Sequence, residues 1–269
     1  PIFQRLKKRE ASSGELCYEM LMEKKKVSKG EKDSWFSTLI WAGVIALIIR
    51  SFLFQTFNIP SGSMKPTLLI GDYLFVSKFS YGFSKHSFPF SPPVWSGRIM
   101  GSEPERGDVI VFKLPRDNRT DYVKRLIGLP GDRIQVTGGQ LYINSEPVKR
   151  ELLSEFLDHD KSGKTKPIRQ YRETLPNGVS YLSLDEVDGS VGDNTPEYLV
   201  PVGHYFMMGD NRDNSTDSRF MRHVGYVPYE NLVGPAQVLF YSFDDRTSWW
   251  QIWKWPSSIR FSRLFSAIE

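Results

Sequence analysis

The segment from Trp35 to Phe57, WFSTLIWAGVIALIIRSFLFQTF, constrains this chain more than any other feature. Its charge-free part, Trp35 to Ile49, is about 22 Å long as a helix. That is short of the ~20 residues a membrane span needs. Adding Phe52 to Phe57 completes the length, provided that Arg50 snorkels to an interface or finds a partner. A buried helix and a cleaved signal peptide are the competing readings. The second wants a small-residue cleavage site after the apolar stretch, and Asn58-Ile59-Pro60 does not offer one. The sequence therefore predicts one uncleaved anchor over 35–57. Lys24, Lys25, Lys26, Lys29 and Lys32 lie just upstream, so the positive-inside rule keeps the basic tail 1–34 cytoplasmic. Everything after residue 58 is then on the outer side.

Composition narrows the class of the chain beyond the anchor. Hydrophobic residues make up 40% of the chain and charged residues 25%, enough for a sizeable core and against wholesale disorder. Seventeen prolines, 21 glycines and 14% aromatics favour strands and loops over a helical bundle. The single Cys17 excludes intramolecular disulfides and multi-cysteine metal sites. His86, His159, His204 and His223 show none of the short metal-binding spacings, so a zinc or haem enzyme is not expected. The net charge of +4 is spread among acids and makes no case for nucleic acid.

Runs bounded by Gly and Pro turns predict strands at Tyr73–Val76, Asp108–Phe112, Tyr122–Ile127, His204–Met208 and Gln237–Tyr241. Arg133–Val136 and Leu141–Ile143, separated by a Gly138-Gly139 turn, have the form of a hairpin. No long 3.6-residue apolar period runs between 58 and 245, so the outer part should be mainly β. Residues 84–105 look like an exposed extension or long hairpin, and residues 145–200, polar and irregular, like an inserted subdomain. Near the C-terminus Trp249, Trp250, Trp253 and Trp255 crowd together. Phe261, Leu264, Phe265 and Ile268 come next at i, i+3, i+4, i+7, predicting an amphipathic helix that caps the core or lies on lipid.

Three clusters carry candidate chemistry. In Ile59-Pro60-Ser61-Gly62-Ser63-Met64-Lys65-Pro66-Thr67-Leu68, two serines around a glycine make a tight turn that can present a hydroxyl beside backbone N–H groups. Neither G-x-S-x-G nor S-x-x-K surrounds Ser63, and a plain linker leaving a membrane reads the same way. In Asp121–Gly128, strand alternation sends Lys124 and Arg125 to opposite faces, so one should reach solvent and the other be forced toward the core. A buried lysine loses proton affinity and becomes a base near neutrality. The third cluster, Gly209-Asp210-Asn211-Arg212-Asp213-Asn214-Ser215-Thr216-Asp217-Ser218-Arg219, suits a loop of side chain to backbone hydrogen bonds. As a calcium loop counted from Asp210 it fails, because the sixth position holds Ser215 where an EF-hand wants Gly.

Together, in this order, the three clusters resemble the bacterial type I signal peptidases (leader peptidases), membrane-anchored serine proteases with a Ser/Lys dyad. The resemblance covers roughly residues 35–245. It implies Ser63 as nucleophile, Lys124 as general base through an acyl-enzyme, and an oxyanion hole of the Ser63 N–H and the Ser61 hydroxyl. It further implies Ser215 as the group that orients Lys124, and Asp210, Arg212, Asp217 and Arg219 as support of the loop, with no cofactor. The implied fold is mainly β. An antiparallel β catalytic core (58–137 and 205–246) carries an inserted β subdomain (138–204), comes after one N-terminal transmembrane helix, and ends in a Trp-rich tail (247–269). Many relatives carry two spans, so a single anchor departs from the common topology. Partners would be exported preproteins with small residues before the cut, and the lipid bilayer. The place would be the inner membrane, single-pass, with the catalytic part periplasmic. A relative dedicated to one substrate and a non-enzymatic tethered β-module are the alternatives.

Overall fold

The computed structural model describes residues 35–88, 97–159, 164–244, 253 and 255–268. Helix α1 (Trp35–Leu53) spans 19 residues, long and apolar enough to cross a membrane. Its last turn, Ile49–Leu53, widens into a π-helical turn that contains Arg50. Trp35, Leu39, Trp41, Ile45 and Leu47 are exposed, a density of bare apolar surface that suits lipid better than water.

Residues 51–269 make one compact unit. Its strands are β1 (Phe54–Asn58), β2 (Asp72–Ser77), β3 (Val109–Lys113), β4 (Asp121–Gly128), β5 (Arg133–Thr137), β6 (Gln140–Ile143), β7 (Glu146–Pro147) and β8 (Lys149–Leu152). The later strands are β9 (Phe156–His159), β10 (Thr165–Thr174), β11 (Ser180–Asp185), β12 (Tyr198–Leu199), β13 (His204–Met208), β14 (Val227–Pro228), β15 (Leu232–Ser242) and β16 (Ser266–Ala267). The largest sheet has the order β1-β2-β15-β3-β4-β13-β14, with β16 added to β15. Two smaller sheets run β11-β10-β8, where β9 also pairs β10, and β12-β5-β6-β7. All the strand pairings are antiparallel.

Strand β15 turns the corner of the large sheet. Leu232 to Pro235 pair with β3, and Ala236 to Ser242 pair with β2, with register shifts within each segment. Gly234 permits the bend, since a Cβ there would stand 2.9 Å from Val76 Cγ1 and collide with the Ser77 carbonyl. Inside the corner lie Ile59, Met64, Leu68, Leu74, Val76, Val109, Val111, Val233 and Leu239. A second cluster joins the C-terminal half of β4 and β13 to the 134–200 region through Ile127, Ile134, Leu141, Tyr181, Phe206 and Met208.

Two expectations change, at 145–200 and in the tail. Residues 145–200 are not irregular but hold β7 to β12; charged side chains hid the strand pattern because Arg150, Glu173 and Asp185 are buried against each other rather than solvated. Antiparallel bonds between Phe83 and Ile99 close the base of the 84–105 excursion, whose residues 89–96 lie outside the described set. The tail is no amphipathic helix. Helix α2 is only Trp255–Ser258, a 3-10 turn comes next at Phe261–Arg263, and β16 pairs β15. Arg263 donates to Asp72 Oδ2 (2.6 Å) and to the Thr67 carbonyl (2.9 Å), and Ile268 packs on the corner core. Phe265 turns at a positive φ of 56°, which breaks the helical period. Trp249 and Trp250 fall outside the described residues.

Candidate active site

The Ser63 turn stands on apolar pegs. Ile59, Met64 and Leu68 are buried beneath it, and Leu68 N–H donates to the Met64 carbonyl (2.8 Å). The 209–219 loop clamps the turn from the side: Asn211 donates its N–H to the Ser63 carbonyl (3.1 Å) and its Nδ2 to the Gly62 carbonyl (3.1 Å). Gly209 makes the approach possible, because a Cβ there would lie 2.6 Å from the Ser63 carbonyl oxygen and collide with the Ser215 side chain. Among the described residues the Ser63 N–H has no acceptor, and Ser61 Oγ stands 3.4 Å from Ser63 Oγ.

Lys124 comes to this turn from β4. Strand β13 pairs with Arg125, Leu126 and Gly128 only, so residues 121–124 have β3 on one side and an open edge on the other. Lys124 Nζ lies 2.6 Å from Ser63 Oγ and donates to the Val123 carbonyl at 3.0 Å, with the Tyr122 ring 5.4 Å away. The residue is 3% exposed. Burial pushes its pKa from 10.5 down to about 8, against the pull of the Asp217 and Asp210 carboxylates.

Arg125, the next residue, is also buried, so neither side chain of the pair reaches solvent. Its guanidinium forks onto Asp210 at 2.9 and 2.8 Å, donates to the Gly107 carbonyl (2.8 Å), and stacks 4.4 Å over Tyr181. Thr67 Oγ1 donates to the same carboxylate (2.6 Å) and ties the serine turn to it. Asp217 holds Arg219 by two bonds of 2.9 Å and accepts from Gly209 N–H (3.0 Å). Burial alone would raise the Asp217 carboxyl; Arg219, Gly209 and Ser215 hold it below the usual carboxylate range. Arg219 also donates to the Arg212 carbonyl (2.6 Å), and Arg212 ion-pairs with Glu173, which Tyr181 and Ser183 also bind.

The structure thus brings Ser61, Ser63 and Lys124 together and sets Asp210, Arg212, Asp217 and Arg219 behind them. Ser215 differs from expectation. Its hydroxyl donates to Asp217 Oδ2 (2.7 Å), and among the described residues no hydrogen bond joins it to Lys124. The sequence names Arg125 and Thr67 only as members of their clusters, without their bonds to Asp210, and offers no signal for Glu173. A buried arginine gives no periodicity signal, and its partner Asp210 lies 85 residues away.

A cleft of about 360 Å³ opens onto the serine, lined by Phe57 to Ser61, Ser63, Met64, Thr120 to Lys124, Asn214 and Thr216. The site thus sets a serine hydroxyl 2.6 Å from a buried lysine amine of lowered pKa, beside a backbone N–H without an acceptor among the described residues. The family model described as "Signal peptidase, peptidase S26" matches residues 32–241. Signal peptidase I of Rickettsia typhi is 39% identical over 249 residues, 86% of this chain and 91% of that protein. That of Rickettsia canadensis is 40% identical over 240 residues, 82% and 88% of the two chains. A solved signal peptidase I from Enterococcus faecalis V583 is 29% identical, covering 50% of this chain and 97% of that one, with a TM-score of 0.29. The chain belongs to the signal peptidase family, peptidase S26. It is therefore a hydrolase of a membrane-associated family, consistent with the apolar helix α1.

Proposed function

We propose that this protein removes N-terminal signal peptides from exported preproteins, with Ser63 as nucleophile and Lys124 as general base. The 2.6 Å approach of Lys124 Nζ to Ser63 Oγ carries the reading. Neutral Lys124 takes the Ser63 proton as Oγ attacks the scissile carbonyl, the free Ser63 N–H and the Ser61 hydroxyl receive the oxyanion, and an acyl-enzyme forms. Lys124, now protonated, gives its proton to the leaving amine, then activates the water that releases the acyl group. With a pKa of about 8, roughly one tenth of the lysine is neutral at pH 7.

The cleft supports a short extended peptide as substrate. Both β1 and residues 121–124 of β4 line it and both have an unpaired edge, so main-chain bonds of the strand-addition kind are on offer. Its volume is near the small end for ligand sites, which suits small residues before the cut. Helix α1 acts as a single transmembrane anchor with residues 1–34 cytoplasmic and the catalytic unit on the periplasmic side. Residues 58–137 and 205–246 act as the catalytic core, 138–204 as its inserted subdomain. The test is cleavage of a preprotein by the purified full-length chain in detergent, beside Ser63→Ala. Cleavage by wild type alone, at a bond preceded by small residues, is the expected result; equal cleavage by the variant would overturn the assignment.

A further inference from the structure

Lys65 lies two residues beyond Ser63, where a lysine would ordinarily reach into solvent. Instead its side chain is only 12% exposed and its Nζ meets Asp158 Oδ1 at 2.6 Å. Asp158 belongs to β9, which pairs the first residues of β10, Thr165 to Ile168, whereas β8 and β11 pair the rest of that strand. The ion pair therefore links the nucleophile turn to a hairpin 93 residues away in sequence.

The aliphatic stem of Lys65 does the contacting. A Cβ on Gly62 would meet Lys65 Cε at 3.2 Å and Asn214 Nδ2 at 3.3 Å, so the two side chains close over Gly62. From the other direction Asn211 Nδ2 binds the Gly62 carbonyl. Gly62 is thus held on two sides, and Asp158 fixes one of the holders. With the carboxylate gone, the Lys65 ammonium gains by swinging into water, and its stem leaves Gly62.

We propose that Asp158 is a positioning residue, which acts through Lys65 to keep the Gly62–Ser63 turn in register with Lys124. The inference rests on Ser63 being the nucleophile. A hydroxyl that must sit within hydrogen-bond reach of its base is sensitive to small displacements, and a misplacement of about 1 Å can cost up to 10²-fold in rate. No contact of Asp158 with the cleft is needed, since neither member of the ion pair lines it.

The experiment measures kcat and KM of the full-length protein on one preprotein for Asp158→Asn, Lys65→Met, the Lys65→Met/Asp158→Asn double variant, and Asp158→Glu. Asp158→Asn should lower kcat about tenfold with KM within twofold, and the double variant should be no worse than either single change. Asp158→Glu, which keeps the carboxylate, should recover most of the loss. A wild-type kcat in Asp158→Asn, additive single losses, or no recovery in Asp158→Glu would overturn the proposal. If Lys65→Met fails to fold, Asp158→Asn and Asp158→Glu decide alone. Ser63→Ala in parallel separates the two claims: residual cleavage there defeats the nucleophile assignment, whereas a dead Ser63→Ala beside a normal Asp158→Asn defeats only the positioning role.

Discussion

Lys124 and Arg125 are neighbours on one strand, both buried, and their charges meet opposite fates. Arg125 faces a carboxylate fork, a carbonyl and a tyrosine ring that together offset its desolvation. Lys124 faces a hydroxyl and a carbonyl, and no carboxylate bonds it among the described residues. The site therefore commits its acids selectively. Asp210 and Asp217 are occupied by Arg125 and Arg219, near enough to feel Lys124 but bonded elsewhere. A lysine beside a free carboxylate would stay protonated; one beside paired carboxylates is left to its burial. The rigid half of the site thus makes the reactive half possible.

The contrast can be broken first at the reactive half. Ser63→Ala, Lys124→Ala and the double variant should each lose on the order of 10³–10⁶ in kcat, without additivity, in a preprotein cleavage assay. Lys124→Arg should be equally inactive, since arginine keeps its proton. Turnover near wild type by any of these would dissolve the distinction between the two neighbours.

The rigid half predicts a different signature. Arg125→Ala or Asp210→Ala leaves a buried charge unpaired, which typically costs about 3–5 kcal/mol of stability. Urea denaturation should show it, with activity lost through unfolding. Ser61→Ala sits between the halves: one oxyanion donor removed should cost roughly 10²–10³ in kcat with stability unchanged.

Much of this arrangement was legible in the chain, and the exceptions share a cause. The strands around the site are bounded by Gly and Pro and filled with Val, Ile, Leu and aromatics, so β2 to β6, β13 and β15 could be read from local pattern. The serine turn, the lysine strand and the acidic loop were likewise visible as separate segments. Pairing was not, because it is non-local. The burial of Arg125 depends on Asp210, that of Glu173 on Arg212, and the extended tail on Arg263 reaching Asp72. The resemblance implies a Ser215 bond to Lys124, and its bond to Asp217 shows only when the loop is placed in space. Strands β8 to β11 hid for the same reason, their charged residues being paired with each other.

A smaller effect sharpens the contrast from the stability side. Lys124 has its pKa lowered by burial to about 8, so below that pH the folded protein carries a charge it disfavours. Between about 8 and 10.5 the unfolded chain binds more protons than the folded one, and stability rises with pH through that window. Lys124→Met should therefore stabilise the protein by roughly 3 kcal/mol at pH 7, with the gain shrinking as pH rises toward 10.5. Denaturation of variant and wild type at pH 7 and pH 10 checks the sign.

The most direct test is the pH dependence of kcat/KM for the wild-type protein. Cleavage that requires neutral Lys124 should fall with unit slope below a midpoint near 8, the free-enzyme pKa of the base. A profile flat from pH 6 to 10, or a midpoint at the 10.5 of an ordinary lysine, would contradict it.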